Sequence, residues 1–134
     1  MINEPILSLA EVQGRLPQVR QLTHQMVQVA TGIPDLQESI KICQYQLARS
    51  PDNRDLRIAL QRTVDDCDAA ARKLTYVLRE LGVLGAQVKD LRAGVLDFYG
   101  QRDNEVIELC WRLGEEQVAF WHRVGDGFAG RLPL

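Results

Sequence analysis

Apolar side chains recur at alternating steps of three and four residues in two long stretches of the chain, residues 19–47 and residues 60–81. A repeat that averages about 3.5 residues is the heptad pattern of helices packed side by side. The polar segment between the stretches, residues 50–55 (SPDNRD), contains Pro51 and side chains that favour turns and helix caps. The pattern therefore predicts two long helices folded back on each other as an antiparallel, coiled-coil-like hairpin.

Signals at the amino-terminal end predict a separate short helix before the hairpin. Ser8 and Glu11 have the spacing of a capping box. The apolar positions that follow are one residue out of phase with the first heptad stretch, and Pro17 suits the first turn of a new helix, so we expect a restart at Pro17. Gly32 and Pro34 leave the heptad phase unchanged, and a kinked but continuous helix is predicted there.

Beyond Gly82, the expected left-handed cap of the last helix, glycines separate short apolar runs. These runs, VLGAQVKDL, GVLDFYG, EVIELCWRLG and QVAFWHRV, are typical of strands in an antiparallel sheet. The predicted fold class is α+β: a short N-terminal helix, a long helical hairpin, and a small C-terminal antiparallel sheet at the open end of the hairpin. We treat residues 1–134 as a single domain, with the helices in residues 1–82 and the sheet and tail in residues 83–134.

The faces of the last two strands depend on the turn between them. With a tight reversal at residues 114–117, alternation places His122 on an otherwise apolar face, and Trp121 with Cys110 on the opposite, mixed face. A histidine among apolar side chains is out of place, and the indole on the mixed face would need cover from another segment or a partner chain. Because Cys110 and His122 lie on opposite faces in this arrangement, we do not expect a cysteine nucleophile activated by histidine.

Charge and composition exclude several classes of function. The chain has 16 Lys and Arg against 18 Asp and Glu, a net charge of −2, and the signs are evenly spread, so no basic surface for nucleic acid is expected. No apolar run approaches the roughly 20 residues of a membrane span, and the first residues lack the features of a secretory signal. Cys43, Cys67 and Cys110 are odd in number and widely spaced, which favours reduced thiols. We therefore expect a cytoplasmic protein with neither nucleic-acid nor membrane partners.

The helical seam itself indicates an oligomer. A two-helix seam buries few apolar side chains for the number of residues that it orders. Two such hairpins can cover each other's apolar stripes in a four-helix bundle, so we predict a homodimer through the helices. The outer helix faces mix both signs of charge, as solvated helices do, and could also bind a protein partner.

The carboxy-terminal run LCWRLGEEQVAFWHRVGDGFAGRLPL, preceded by VKDLRAGVLDF and a long helical hairpin, resembles a bacterial family known as domain of unknown function 2203. The resemblance covers nearly the whole chain, and its specific part is the CW, GE, WH and GFAGR series at these spacings; the helices match only in pattern. It implies no established activity. The residues that match the recurrent positions of the family are Asp97, Phe98, Cys110, Trp111, Gly114, Glu115, Trp121, His122, Gly127, Gly130 and Arg131.

His122 is the leading candidate for chemistry. Imidazole changes charge near neutral pH, and a carboxylate from Asp97 or Asp126 could fix its tautomer in a catalytic pocket, with Glu115 as a further acid. The structural alternative, which we favour, is a histidine at the sheet edge that is hydrogen-bonded to backbone and packed on tryptophan. A metal site would combine His122 with Asp97, Glu108 or Glu115, but it needs three or four ligands, so we predict neither a metal nor a cofactor.

Arg131 and Trp121 are the candidates for ligand binding. The glycine-rich GDGFAGR segment could shape an anion-binding turn around Arg131, although it lacks the lysine and following helix of a phosphate loop. The structural alternative is that Arg131 pairs with an acidic group such as Asp97 or Glu115. The chain is therefore predicted to be a non-enzymatic homodimeric interaction or scaffold module. The alternative is a small hydrolase or anionic-ligand-binding protein with its site around His122.

Overall fold

The structure, a computed structural model, describes residues 4–134 and has two long helices followed by a five-stranded antiparallel sheet, which confirms the predicted α+β class. None of the helices within residues 4–134 is both long and apolar enough to cross a membrane. The strands follow each other in chain order across the sheet. The elements are α1 (Leu9–Arg49), α2 (Arg54–Val83), β1 (Gln87–Asp90), β2 (Val95–Arg102), β3 (Glu105–Arg112), β4 (Phe120–Arg123), a one-turn 3₁₀ helix (Phe128–Gly130) and β5 (Leu132–Pro133).

The amino-terminal end of α1 forms the predicted capping box. The Ser8 backbone N–H donates to Glu11 Oε1 at 3.0 Å, and the Glu11 backbone N–H donates to Ser8 Oγ at 3.0 Å. These two bonds satisfy donors that the first helical turn leaves without an intrahelical partner.

The prediction of a separate short helix with a restart at Pro17 was wrong, because α1 is one helix from Leu9 to Arg49. Val12, Leu16 and Val19 are all buried. These residues belong to the unit that contains the sheet, so the apolar positions of α1 change phase where the helix passes into a different core, without a break in the backbone. The helix also continues through Gly32 and Pro34, as predicted.

The carboxy-terminal end of α2 differs from the prediction in the residue that caps it. Gly82 lies inside the helix, and Gly85 has the left-handed conformation, with φ +88°. The Ala86 N–H donates to the Leu81 carbonyl oxygen and the Gly85 N–H donates to the Gly82 carbonyl oxygen, both at 3.0 Å. This pair of bonds is the Schellman motif, which needs a left-handed residue at the position that Gly85 occupies.

Two compact units make up the chain. Of the described residues, one unit contains residues 4–27 and Val77–Leu134. Its core includes residues of both helices and of the sheet, among them Val19, Leu81 and Trp111. The other, Gln28–Tyr76, contains the rest of both helices and the predicted reversal at residues 50–55. The assignment of the chain to a single domain stays a prediction.

Candidate functional site

The connection between β3 and β4 differs from the predicted tight reversal. It is a longer loop, residues 113–119 instead of 114–117, and the strands pair with Leu109 opposite Trp121. The predicted reversal would have placed Leu109 opposite His122. Because side chains alternate along a strand, this shift of one residue exchanges the two faces of β4 relative to β3.

Glu115 holds the longer loop in place through three groups. Its backbone carbonyl accepts a hydrogen bond from the Trp111 indole N–H at 3.0 Å, and its Oε1 accepts one from the Arg112 backbone N–H at 2.7 Å. Its two carboxylate oxygens also accept from Nη1 and Nη2 of Arg131, at 3.1 and 2.9 Å. The loop is therefore fixed by specific polar contacts that hydrophobic periodicity does not encode.

The guanidinium of Arg131 is paired with Glu115, which is the structural alternative that the sequence offered for this residue. The same group lies 4.0 Å from the centroid of the Phe120 ring and 4.2 Å from that of Phe128. Its Nη1 is also 4.0 Å from Cys110 Sγ. A guanidinium that is paired with a carboxylate and lies close to two aromatic rings has little capacity left for an anion, and a ligand-binding role for Arg131 stays a prediction.

His122 lies on the face of the sheet that also carries Cys110 and Asp97. The β2–β3 pairing puts Asp97 opposite Cys110, and the β3–β4 pairing puts His122 opposite Glu108. The predicted separation of Cys110 from His122 was therefore wrong, as was the placement of Trp121 on the Cys110 face. The four residues form a buried polar cluster, with exposed fractions of 1% for Asp97, 4% for Glu108 and 0% for Cys110 and His122.

Both ring nitrogens of His122 have close partners. Nδ1 is 2.8 Å from the Arg123 carbonyl oxygen and 3.3 Å from Glu108 Oε2, and Nε2 is 3.1 Å from Asp97 Oδ2. A carbonyl oxygen can only accept, so the hydrogen-bond network assigns a proton to Nδ1. The lone pair or proton of Nε2 then faces a carboxylate.

Two buried carboxylates lie beside this ring. Burial raises the pKa of Glu108 above its ordinary value, and the negative charge of Asp97 raises it further. The Lys89 ammonium opposes this effect from 3.8 Å away. Within the described residues, Asp97 Oδ1 is buried without a hydrogen-bond partner, a costly arrangement for a carboxylate oxygen.

Cys110 is a neutral thiol in this environment. Burial raises its pKa to about 12, and the adjacent Asp97 carboxylate contributes to the rise more than Arg131 opposes it. The nucleophile and metal ligand in cysteine chemistry is the thiolate. Proximity to His122 therefore does not by itself make Cys110 a nucleophile.

The candidate catalytic residues of the sequence divide into two groups. His122 and Asp97 meet, whereas Glu115 forms its ion pair with Arg131. Asp126, the other carboxylate predicted for His122, is exposed. A cleft of about 320 Å³ opens beside the cluster, with Asp97, Glu108, Lys89 and Tyr99 among its lining residues.

Trp121 is buried on the face that carries Leu109, and the Arg102 guanidinium carbon lies 4.8 Å from the centroid of its ring. Two misfits in the predicted arrangement, a histidine among apolar side chains and an indole among polar ones, disappear with the observed pairing. Those misfits were the signal in the sequence that could have located Cys110 and Glu108 beside His122.

A second candidate site is the apolar seam of the helical unit Gln28–Tyr76. Ala30 is the one buried residue of this unit, all of which the structure describes. The larger seam side chains are only half-buried: Ile33, Leu36, Ile40, Cys43, Leu47, Leu60, Val64, Cys67 and Leu74. Four further apolar residues of the unit are exposed, with exposed fractions of 46–64%: Ile42, Tyr45, Ile58 and Tyr76.

Comparisons with known proteins identify a family but no activity. The family model described as "Uncharacterized conserved protein (DUF2203)" matches residues 6–134. No curated protein and no solved structure shows significant similarity to the chain.

Proposed function

Since the chain belongs to this family, domain of unknown function 2203, whose description states no activity, we propose a function from the geometry alone. The protein acts as a non-enzymatic homodimeric interaction or scaffold module, in which the helical units of two copies form a four-helix bundle. The observation that carries this proposal is the half-buried apolar seam of Gln28–Tyr76.

The apolar seam favours a partner because it is long and continuous. Its side chains repeat with heptad spacing on both helices, which is the pattern that packs knobs into holes on a neighbouring helix. Burying a Leu or Ile side chain fully contributes about 1.5–3 kcal/mol to the free energy of unfolding. In a single chain these side chains are only half-buried, so they contribute only part of that stabilisation. A further layer of helices would bury the remainder.

A second copy of the chain is the partner that fits best. A dimer with two-fold symmetry brings the same surface of both copies together, so an apolar seam meets an apolar seam. The net charge of −2 on each chain adds little repulsion between copies. The outer helix faces, which carry charges of both signs, could bind a further protein partner. Because the three cysteines are free, we also propose a cytoplasmic location.

Ile40→Glu tests the proposal at a half-buried seam position, with Ser39→Glu as the matched control at the adjacent exposed position. A buried carboxylate in the bundle is costly, so Ile40→Glu should convert a dimer to a monomer in light scattering while Ser39→Glu stays dimeric. Circular dichroism of both variants checks that the helices persist. Wild-type protein that is monomeric under the same conditions would overturn the proposal.

The buried cluster supports a second candidate, a small hydrolase with His122 as its base. The specific observation is a cleft lined by Asp97 and Glu108, the two carboxylates that lie 3.1 and 3.3 Å from the buried His122 ring. Its test is a screen of the purified protein against ester, amide and phosphate-ester substrates. Turnover that is lost in His122→Gln and kept in His24→Gln would support a hydrolase, and absence of turnover in all three classes would count against it.

A further inference from the structure

We propose that Asp97, Cys110 and His122 are the three protein ligands of a zinc ion. The site is separate from the helical seam and does not depend on the dimer. The three residues come from β2, β3 and β4, so neighbouring strands of one sheet hold them at fixed separations. This proposal differs from the expectation of no metal, which counted too few ligands around His122 and did not include Cys110 among them.

The geometry and chemistry of the three side chains fit zinc. One nitrogen, one sulfur and one carboxylate oxygen lie within 4.8 Å of one another, and all three residues are buried. Zinc binds such atoms at about 2.0–2.3 Å in a tetrahedral arrangement, which places ligand atoms roughly 3.2–3.8 Å apart. The 3.1 Å from His122 Nε2 to Asp97 Oδ2 is already close to that spacing. The widest pair has to close by about 1 Å, which rotation of side chains can supply.

The hydrogen bonds of His122 prepare its Nε2 for a metal. The Arg123 carbonyl oxygen, 2.8 Å from Nδ1, requires a proton there. In the neutral ring this leaves the Nε2 lone pair directed at Asp97, where two acceptors face each other without a proton between them. Either a proton on Nε2 or a metal cation between the two atoms removes the conflict. A backbone carbonyl on the second nitrogen is also the usual outer contact of a zinc-bound histidine.

An independent observation comes from the carboxylates. Asp97 is only 1% exposed, and its Oδ1 has no well-formed hydrogen bond within the described residues, with the Cys110 thiol and the Glu108 carboxyl as its polar neighbours. Glu108, 4% exposed, adds a second acidic group beside it. Buried carboxylates close to each other are costly to keep ionised, and a divalent cation offsets both charges.

Three protein ligands leave one tetrahedral position for water or a ligand atom, as in catalytic zinc sites. Of the three proposed ligands, Asp97 is the one that lines the cleft of about 320 Å³, together with Glu108, so a water or ligand atom would approach from the Asp97 side. Glu108 Oε2, 3.3 Å from His122 Nδ1, then serves as a positioning group for the ring.

Zinc titration of the reduced, metal-free protein, with a chromophoric chelator as competitor, tests the site. We expect one zinc per chain, and a loss in affinity for Cys110→Ser and for His122→Gln that exceeds the roughly 10–100-fold cost of removing an outer-shell partner. The matched controls Cys43→Ser, Cys67→Ser and His24→Gln should bind zinc as the wild type does. Absence of stoichiometric zinc, or a loss confined to the control variants, would overturn the proposal.

Two further measurements separate ligand loss from misfolding. Cobalt(II) in the same site should give a thiolate-to-metal absorption that disappears in Cys110→Ser and persists in Cys43→Ser. Zinc in hundredfold excess over its dissociation constant should raise the melting temperature of the wild type by about 10 °C and leave that of His122→Gln unchanged. Wild-type protein with neither the absorption nor the shift would show that the cluster is an imidazole–carboxylate pair without a metal.

Discussion

Cys110 shows how strongly the buried face of the sheet controls a single side chain. Burial and the neighbouring Asp97 raise its pKa from 9.0 to about 12, so at a given pH near neutrality its thiolate fraction is about a thousandfold smaller than that of an ordinary thiol. The surroundings that keep the free thiol protonated also contain the carboxylate and the imidazole that could bind a cation. A metal would remove the proton from the thiol and change its state completely.

Alkylation tests whether Cys110 is a buried, neutral thiol. In the metal-free native protein, iodoacetamide should modify Cys110 at least about a hundredfold more slowly than in urea, because both the thiolate fraction and access are low. Cys43 is only half-buried and provides the internal comparison in a mass-spectrometric time course. Equal rates for Cys110 in native and unfolded protein would contradict the buried, neutral thiol.

Glu115 connects the loop, the sheet and the carboxy-terminal tail. Glu115→Gln removes the charge from a bidentate, partly buried pair with Arg131, and it should lower the free energy of unfolding by about 1–3 kcal/mol. Glu116→Gln is the matched control, because its side chain is exposed and next in the chain. Urea unfolding of the two variants gives the comparison, and equal stabilities would show that the pair contributes nothing.

At the scale of elements, the helices could be predicted from the sequence and the register of the last hairpin could not. Heptad spacing and the cluster of turn formers at residues 50–55 leave few alternatives to a helical hairpin, and the structure confirms it. The pairing of β3 with β4 depends instead on a loop held by the Glu115 contacts, which are particular hydrogen bonds without a repeating pattern. A shift of one residue there was enough to conceal the His122 cluster.

Two predicted helix boundaries were wrong for a related reason. Pro17 and Gly82 are strong local signals, but each lies inside a helix in the structure. Buried residues lie on both sides of Pro17, and the cap at Gly85 extends α2 past Gly82, so in both cases the surrounding structure overrides the preference of the single residue. The capping box at Ser8, which involves only neighbouring residues, was predicted correctly.

Two glycines at the end of α2 give opposite predictions for the same substitution. Gly85→Ala should destabilise the protein by about 1–3 kcal/mol, because φ is +88° and the new Cβ would lie 2.9 Å from Leu7 Cδ1. Gly82→Ala should stabilise it by about 0.5–1 kcal/mol, because the position is helical and has nothing within 4 Å. Thermal unfolding of both variants decides which glycine caps the helix; the reverse order would favour Gly82.

For the whole molecule, the two candidate sites lie in different units, so the zinc proposal and the dimer proposal are independent of each other. The unit with the sheet has a core of buried apolar side chains and a buried polar cluster. The unit Gln28–Tyr76 has Ala30 as its one buried residue among those described, so its apolar seam is only half-buried in one chain, and the proposed dimer would cover it. If the protein binds no zinc, the dimer proposal still stands. If the protein is monomeric, the zinc proposal still stands.

A dimer stabilised through its helices has a thermodynamic signature. Only the folded chains associate, so a higher protein concentration favours the folded dimer and should raise the melting temperature. A monomeric chain has a melting temperature that does not depend on concentration. The Ile40→Glu variant should lose this dependence, and Ser39→Glu should keep it.

The molar mass of the wild-type protein in solution tests the central claim most directly. Light scattering coupled to size-exclusion chromatography at micromolar concentration should give about 30 kDa, twice the 15.2 kDa of one chain. A mass of one chain across the micromolar range would contradict the homodimeric module.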